Sequence, residues 1–108
     1  MPRSEKDRLA AEVQERRIDF DIALSDNRKY PIAQFKAFWG AGRRYAEMTK
    51  DDPMIHRAVV KSVYGLMDYL MVERKRVPEL VIRDAERLES LIFSGYDSYV
   101  EGAEPPGL

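Results

Sequence analysis

His56 is the only histidine of the chain and follows Asp52 by four residues, a spacing that puts both on one helix face. A His–Asp pair could act as a general base, yet no serine or threonine stands out as its nucleophile. A metal site would need three or four suitably spaced ligands, and neither Glu-x-x-His nor His-x-x-x-His occurs. His56 therefore reads as a capping or surface residue. The chain has no cysteine, which removes disulfides, thiolate metal sites and cysteine nucleophiles. Among the carboxylates, Asp68 is singled out because Met67 and Tyr69 flank it; if buried it needs a partner such as Arg16, Arg17, Arg43 or Arg44. No cofactor is implied.

The most unusual stretch is Trp39-Gly40-Ala41-Gly42, followed by Arg43 and Arg44. Two glycines inside a helix cost about 1 kcal/mol each relative to alanine. Close approach of another helix onto a smooth Ala37/Gly40/Ala41 surface or a kink would compensate, and so would backbone contact with a ligand. The glycines and arginines superficially suggest a phosphate loop, but their setting in a helical stripe argues against one. The candidate ligand or partner surface is Phe38, Trp39, Gly40, Gly42, Arg43, Arg44, Tyr64 and Asp68.

The elements that carry these residues show helical periodicity, and no segment of useful length alternates like a strand. The spacing predicts four helices. The first spans about 5–25, with Ser4 as N-cap and an apolar stripe of Leu9, Val13, Phe20 and Leu24 widened by Ile18 and Ile22. Arg16 and Arg17 interrupt that stripe, and one of them is expected to reach across a neighbour. The second spans about 31–48, with Ile32, Phe35, Trp39, Gly42 and Ala46 on its stripe. The third spans about 53–76, led by Asp52-Pro53, with Ile55, Val59, Val63, Leu66 and Leu70 inside. The fourth spans about 78–100, with Val81, Ala85, Leu88, Ile92, Gly95 and Tyr99 inside and Arg83, Asp84, Glu86, Arg87 and Glu89 on its wet face. Short connections predict an all-α, four-helix up-down bundle, with a dimer as the arrangement that would complete its core. Residues 1–101 form one domain and 102–108 a flexible tail.

The lysines and arginines are unevenly placed. Residues 29–77 hold ten basic and five acidic side chains, whereas 78–108 hold two and seven. The simplest consequence is an acidic last helix packed beside basic middle ones. The charged start and the absence of a long apolar run predict no signal peptide and no membrane span, and a cytoplasmic location. The stretch Lys50-Asp51-Asp52-Pro53-Met54-Ile55-His56-Arg57, with the helix after it and Val77-Pro78-Glu79, looks like the loop and later helices of the helical chorismate mutases. The chain departs from that family at Tyr30-Pro31, which breaks the long first helix, and at Ala58, where an acid is expected. No family is assigned.

Three functions follow. The leading one is a non-catalytic protein-interaction module, an adaptor or a homodimer. It is motivated by Tyr30, Phe35, Phe38, Trp39, Tyr45, Tyr64, Tyr69, Tyr96 and Tyr99, a larger aromatic set than a small bundle needs. The second is an enzyme or anionic-ligand binder between the second and third helices. The third is nucleic-acid binding through those same basic helices.

Overall fold

The computed structural model describes residues 4–26 and 30–96. All secondary structure among them is helical: α1 Glu5–Asp26, α2 Ile32–Thr49, α3 Arg57–Val63, α4 Leu66–Val72 and α5 Glu79–Ser94. The tail at 102–108 and Tyr99 lie outside the described residues. None of the described helices is long and apolar enough to cross a membrane.

The four expected helices all form and pack together, but the third is divided. Tyr64 turns extended and Gly65 takes φ +86°, the left-handed region where only glycine is free of Cβ strain. The break lets α3 lean on α1 while α4 leans on α5. It also raises Tyr64 to 71% exposure at the corner. This third element starts at Arg57 rather than near Pro53, because His56 is extended and serves as its N-cap residue. The last helix ends earlier than expected, at Ser94. Gly95 takes φ +66°, and the Ser90 hydroxyl donates to the Tyr96 carbonyl at 2.9 Å, holding the chain as it leaves.

Side-chain caps fasten helix ends. Ser4 accepts from the Asp7 amide at 3.1 Å, as an N-cap should. Arg17 crosses from α1 to the Ser62 carbonyl at 2.5 Å, a carbonyl in the last turn of α3 with no partner in its own helix. Its guanidinium also pairs with Asp21 at 2.9 Å and lies over the Tyr69 ring. Arg76 donates in the same way to the Leu24 carbonyl near the end of α1. Two arginines from distant parts of the chain thus complete two helix C-termini.

The core follows the apolar stripes. Leu9, Val13, Phe20 and Leu24 meet Phe35, Phe38 and Trp39, and Val59, Val63, Leu66, Leu70, Val81, Ala85 and Leu88 complete it. Ile18, Ile22 and Ile32 fall outside, each about half exposed, because the buried faces of α1 and α2 are narrower than the sequence pattern implies. The opposite correction applies to α5, where Asp84 and Arg87 are buried rather than on the wet face. Both serve Trp39. The Asp84 carbonyl accepts the indole N–H at 2.8 Å, and the Arg87 guanidinium lies over the ring at 5.1 Å.

Candidate functional site

The residues singled out in the sequence separate into two groups. Phe38, Trp39 and Gly42 are core, with Trp39 only 1% exposed. At Gly42 α5 lies close against α2: a Cβ there would sit 2.9 Å from both Leu88 methyl carbons. The expected Ala37/Gly40/Ala41 surface is not the place of close approach, since Ala37 is exposed and a Cβ at Gly40 would meet only the Arg44 side chain at 3.6 Å. Arg43 lies over the outer side of the Trp39 ring at 5.8 Å and near Glu47, while Arg44 pairs with Glu12 of α1 at 2.6 Å. The arginines are thus engaged within the fold. Tyr64 and Asp68 stand apart from these, exposed and lining a cleft to which none of the α2 residues contributes.

His56 occupies a relay that the sequence conceals. Its Nε2 is 2.7 Å from Asp7 of α1, its Nδ1 is 2.8 Å from the Tyr45 hydroxyl of α2, and its own backbone N–H donates to that hydroxyl at 2.9 Å. One assignment uses each proton once. Nε2–H donates to Asp7, Tyr45 O–H donates to Nδ1, and the Tyr45 oxygen accepts the backbone N–H. The His56 hydrogen bond, and then the Ser4 one, hold the Asp7 carboxyl below its ordinary value, while burial pushes the Tyr45 phenol up. Lys6 and Asp52 form an ion pair that also joins α1 to the segment before α3. Tyr45 has no exposure, so the relay has no reacting face at that end. It ties the start of α1 to the α2–α3 corner. Asp7 and Tyr45 escaped sequence reasoning because they lie 49 and 11 residues from His56.

Tyr64 and Asp68 line a cleft of about 580 Å³ between the Tyr64-Gly65 turn, α4 and α5. Met67 and Phe93 supply apolar walls, and Asp68, Glu86 and Glu89 its charge. No ion pair engages these three carboxylates among the described residues. Further along the same junction, Met71, Arg74, Ile82 and Arg83 line a second, smaller cleft. The α5 residues of both clefts, Glu79, Ile82, Arg83, Glu86, Glu89, Ser90, Phe93 and Ser94, stand three or four positions apart, so they form one continuous stripe. Along the other wall α4 supplies Met67, Asp68 and Met71, with Tyr64 before it and Arg74 after it. The α4–α5 seam is thus acidic and aromatic at one end and basic at the other. Trp39, Gly40, Gly42 and Arg43 line neither cleft. The signal that points to Glu86 and Glu89 is their spacing, which a wet-face reading of the last helix treats as solvation only.

No grouping of three or more His, Asp or Glu suited to a metal occurs among the described residues. No protein-family model matches the chain, and no curated protein or solved structure matches it.

Proposed function

We propose that the protein is a small, non-catalytic helical interaction module whose docking surface is the α4–α5 seam. The observation that carries this reading is the cleft beside Tyr64. Tyr, Met and Phe side chains, the types that dominate protein interfaces, stand there with three carboxylates that nothing else in the described fold engages. A partner suited to it presents lysine or arginine beside apolar groups. The cation would meet Asp68, Glu86 and Glu89 and the face of Tyr64, and the apolar part would lie on Met67 and Phe93. The aromatic surplus of the sequence narrows accordingly. Phe35, Phe38, Trp39 and Tyr45 are core, and Tyr64 is the member of that set that lines the cleft, beside Phe93. Within this reading the chain runs up and down through a bundle in which α2 packs on α1 and α5, α3 packs on α1, and α4 packs on α5.

Titration of the isotope-labelled protein with a lysine- and arginine-rich peptide tests the reading. Saturable amide shifts at residues 64–68 and 86–94, weakened several-fold by Glu86→Gln with Glu89→Gln, are expected. Peptide at millimolar concentration that leaves those resonances unmoved in the monomeric chain overturns it.

A further inference from the structure

The seam carries both halves of a complementary surface. At one end Asp68, Glu86 and Glu89 have no ion pair among the described residues. At the other end Glu73 is engaged by Arg76 and Glu79 by Arg83, which leaves Arg74 and Lys75 exposed with no ion pair among the described residues. Apolar surface accompanies both ends. Met71 and Val72 stand 45% and 81% exposed beside the basic turn, and Met67 and Phe93 line the acidic cleft.

Because α4 and α5 pack together and both clefts follow their shared seam, one rotation can superpose the two ends. A two-fold axis across the seam, between Arg83 and Glu86, reverses the helix direction of a second copy. It then lays the basic end of each copy on the acidic end of the other. Arg83 faces Glu86 of the other copy. Arg74 and Lys75 approach Tyr64 and Asp68, and Met71 comes to the level of Asp68 and Met67. The contact is isologous, so each favourable pairing occurs twice. The net charge of −1 sets up little overall repulsion between copies.

We infer that the partner taken by the α4–α5 seam is a second copy of this chain, docked antiparallel so that the Arg74-Lys75 end of each protomer seats in the Tyr64–Glu89 cleft of the other. This inference rests on the seam being the docking surface and adds the identity of its occupant.

Light scattering and sedimentation of the full chain at low and at molar salt provide the test, together with two charge-reversed variants. One carries Glu86→Lys and Glu89→Lys, the other Arg74→Glu and Lys75→Glu. These side chains lie outside the buried core, and circular dichroism melting checks that each variant remains folded. The expected result is a dimer at low salt that loosens as salt screens the pairs. Each variant alone dimerises at least tenfold more weakly, because like charges then face each other at both ends. Mixing the two variants restores association as a heterodimer, since a seam with added basic charge then meets one with added acidic charge. A chain that stays monomeric across concentration overturns the inference, and seam shifts with the basic peptide would then leave the interaction reading standing. A dimer indifferent to both variants also overturns the inference, by placing the interface elsewhere.

Discussion

Gly40 and Gly42 lie two residues apart in α2, and the structure assigns opposite signs to the same substitution at each. A Cβ at Gly40 meets only Arg44 Nη1 at 3.6 Å, an ordinary contact. Gly40→Ala should therefore gain most of the helix-propensity difference, about 1 kcal/mol. A Cβ at Gly42 falls 2.9 Å from both Leu88 methyl carbons and 3.3 Å from Leu88 Cγ. Leu88 is fully buried, so its methyl groups can retreat only by disturbing their own neighbours. Overpacking of that kind costs about 1–3 kcal/mol. Set against the same propensity gain, Gly42→Ala should lower stability by about 1 kcal/mol. The two variants then differ by about 2 kcal/mol, or roughly 8 °C in melting temperature for a domain of this length. Urea denaturation followed by circular dichroism measures both. A second background isolates the cause. Leu88→Ala itself destabilises by about 2–5 kcal/mol, but it removes the clash, so Gly42→Ala in that background should become stabilising. Equal stabilisation by Gly40→Ala and Gly42→Ala in the natural background would refute a close approach of α2 and α5 at Gly42.

Three further outcomes test the polar contacts. Asp7 has its carboxyl held below the ordinary value of 3.8. As pH falls the unfolded chain therefore takes up this proton first, so the contribution is present above about pH 4 and disappears as pH drops through the folded value. Asp7→Asn should lower the urea midpoint near neutral pH, and the gap from the natural chain should close in acid; a gap that persists there would contradict the relay. Tyr45→Phe removes the acceptor for the His56 backbone N–H and the donor to its Nδ1, and should cost about 1–3 kcal/mol with faster amide exchange in the first turn of α3. Tyr30 has its hydroxyl buried without a hydrogen-bond partner among the described residues, and burial, then the nearby Asp84 charge, push that phenol upward. Its absorbance should resist ionisation after exposed tyrosines have titrated, and Tyr30→Phe should be neutral or stabilising by up to about 1 kcal/mol.

Helix-forming segments were legible because the apolar residues that define them are local and periodic. Leu9, Val13, Phe20 and Leu24 in α1, and Val81, Ala85, Leu88 and Ile92 in α5, recur at helical spacing and are all buried. The local punctuation was legible as well. Ser4 caps α1, and the glycine pair in α2 marked an anomaly, but the sequence placed the close approach at Gly40 and the packing of α5 puts it at Gly42. Gly65 was equally visible, but apolar periodicity continues through it. Only the need for α3 to face α1 while α4 faces α5 decides that this glycine breaks the helix.

Which residues meet across the molecule was decided by the tertiary structure, because such contacts leave no periodic trace. Nothing local to His56 indicates Asp7, and nothing local to Trp39 indicates the Asp84 carbonyl and Arg87 that hold it. The same physics separates Phe38, Trp39 and Gly42, which the packing of α1 and α5 covers, from Tyr64 and Asp68, which the break at Gly65 leaves exposed. Composition alone determined that the middle of the chain is basic and its last helix acidic. The packing of α4 beside α5 brought the two ends of that asymmetry onto one seam, since charge balance is a property of the chain but charge juxtaposition is a property of the fold.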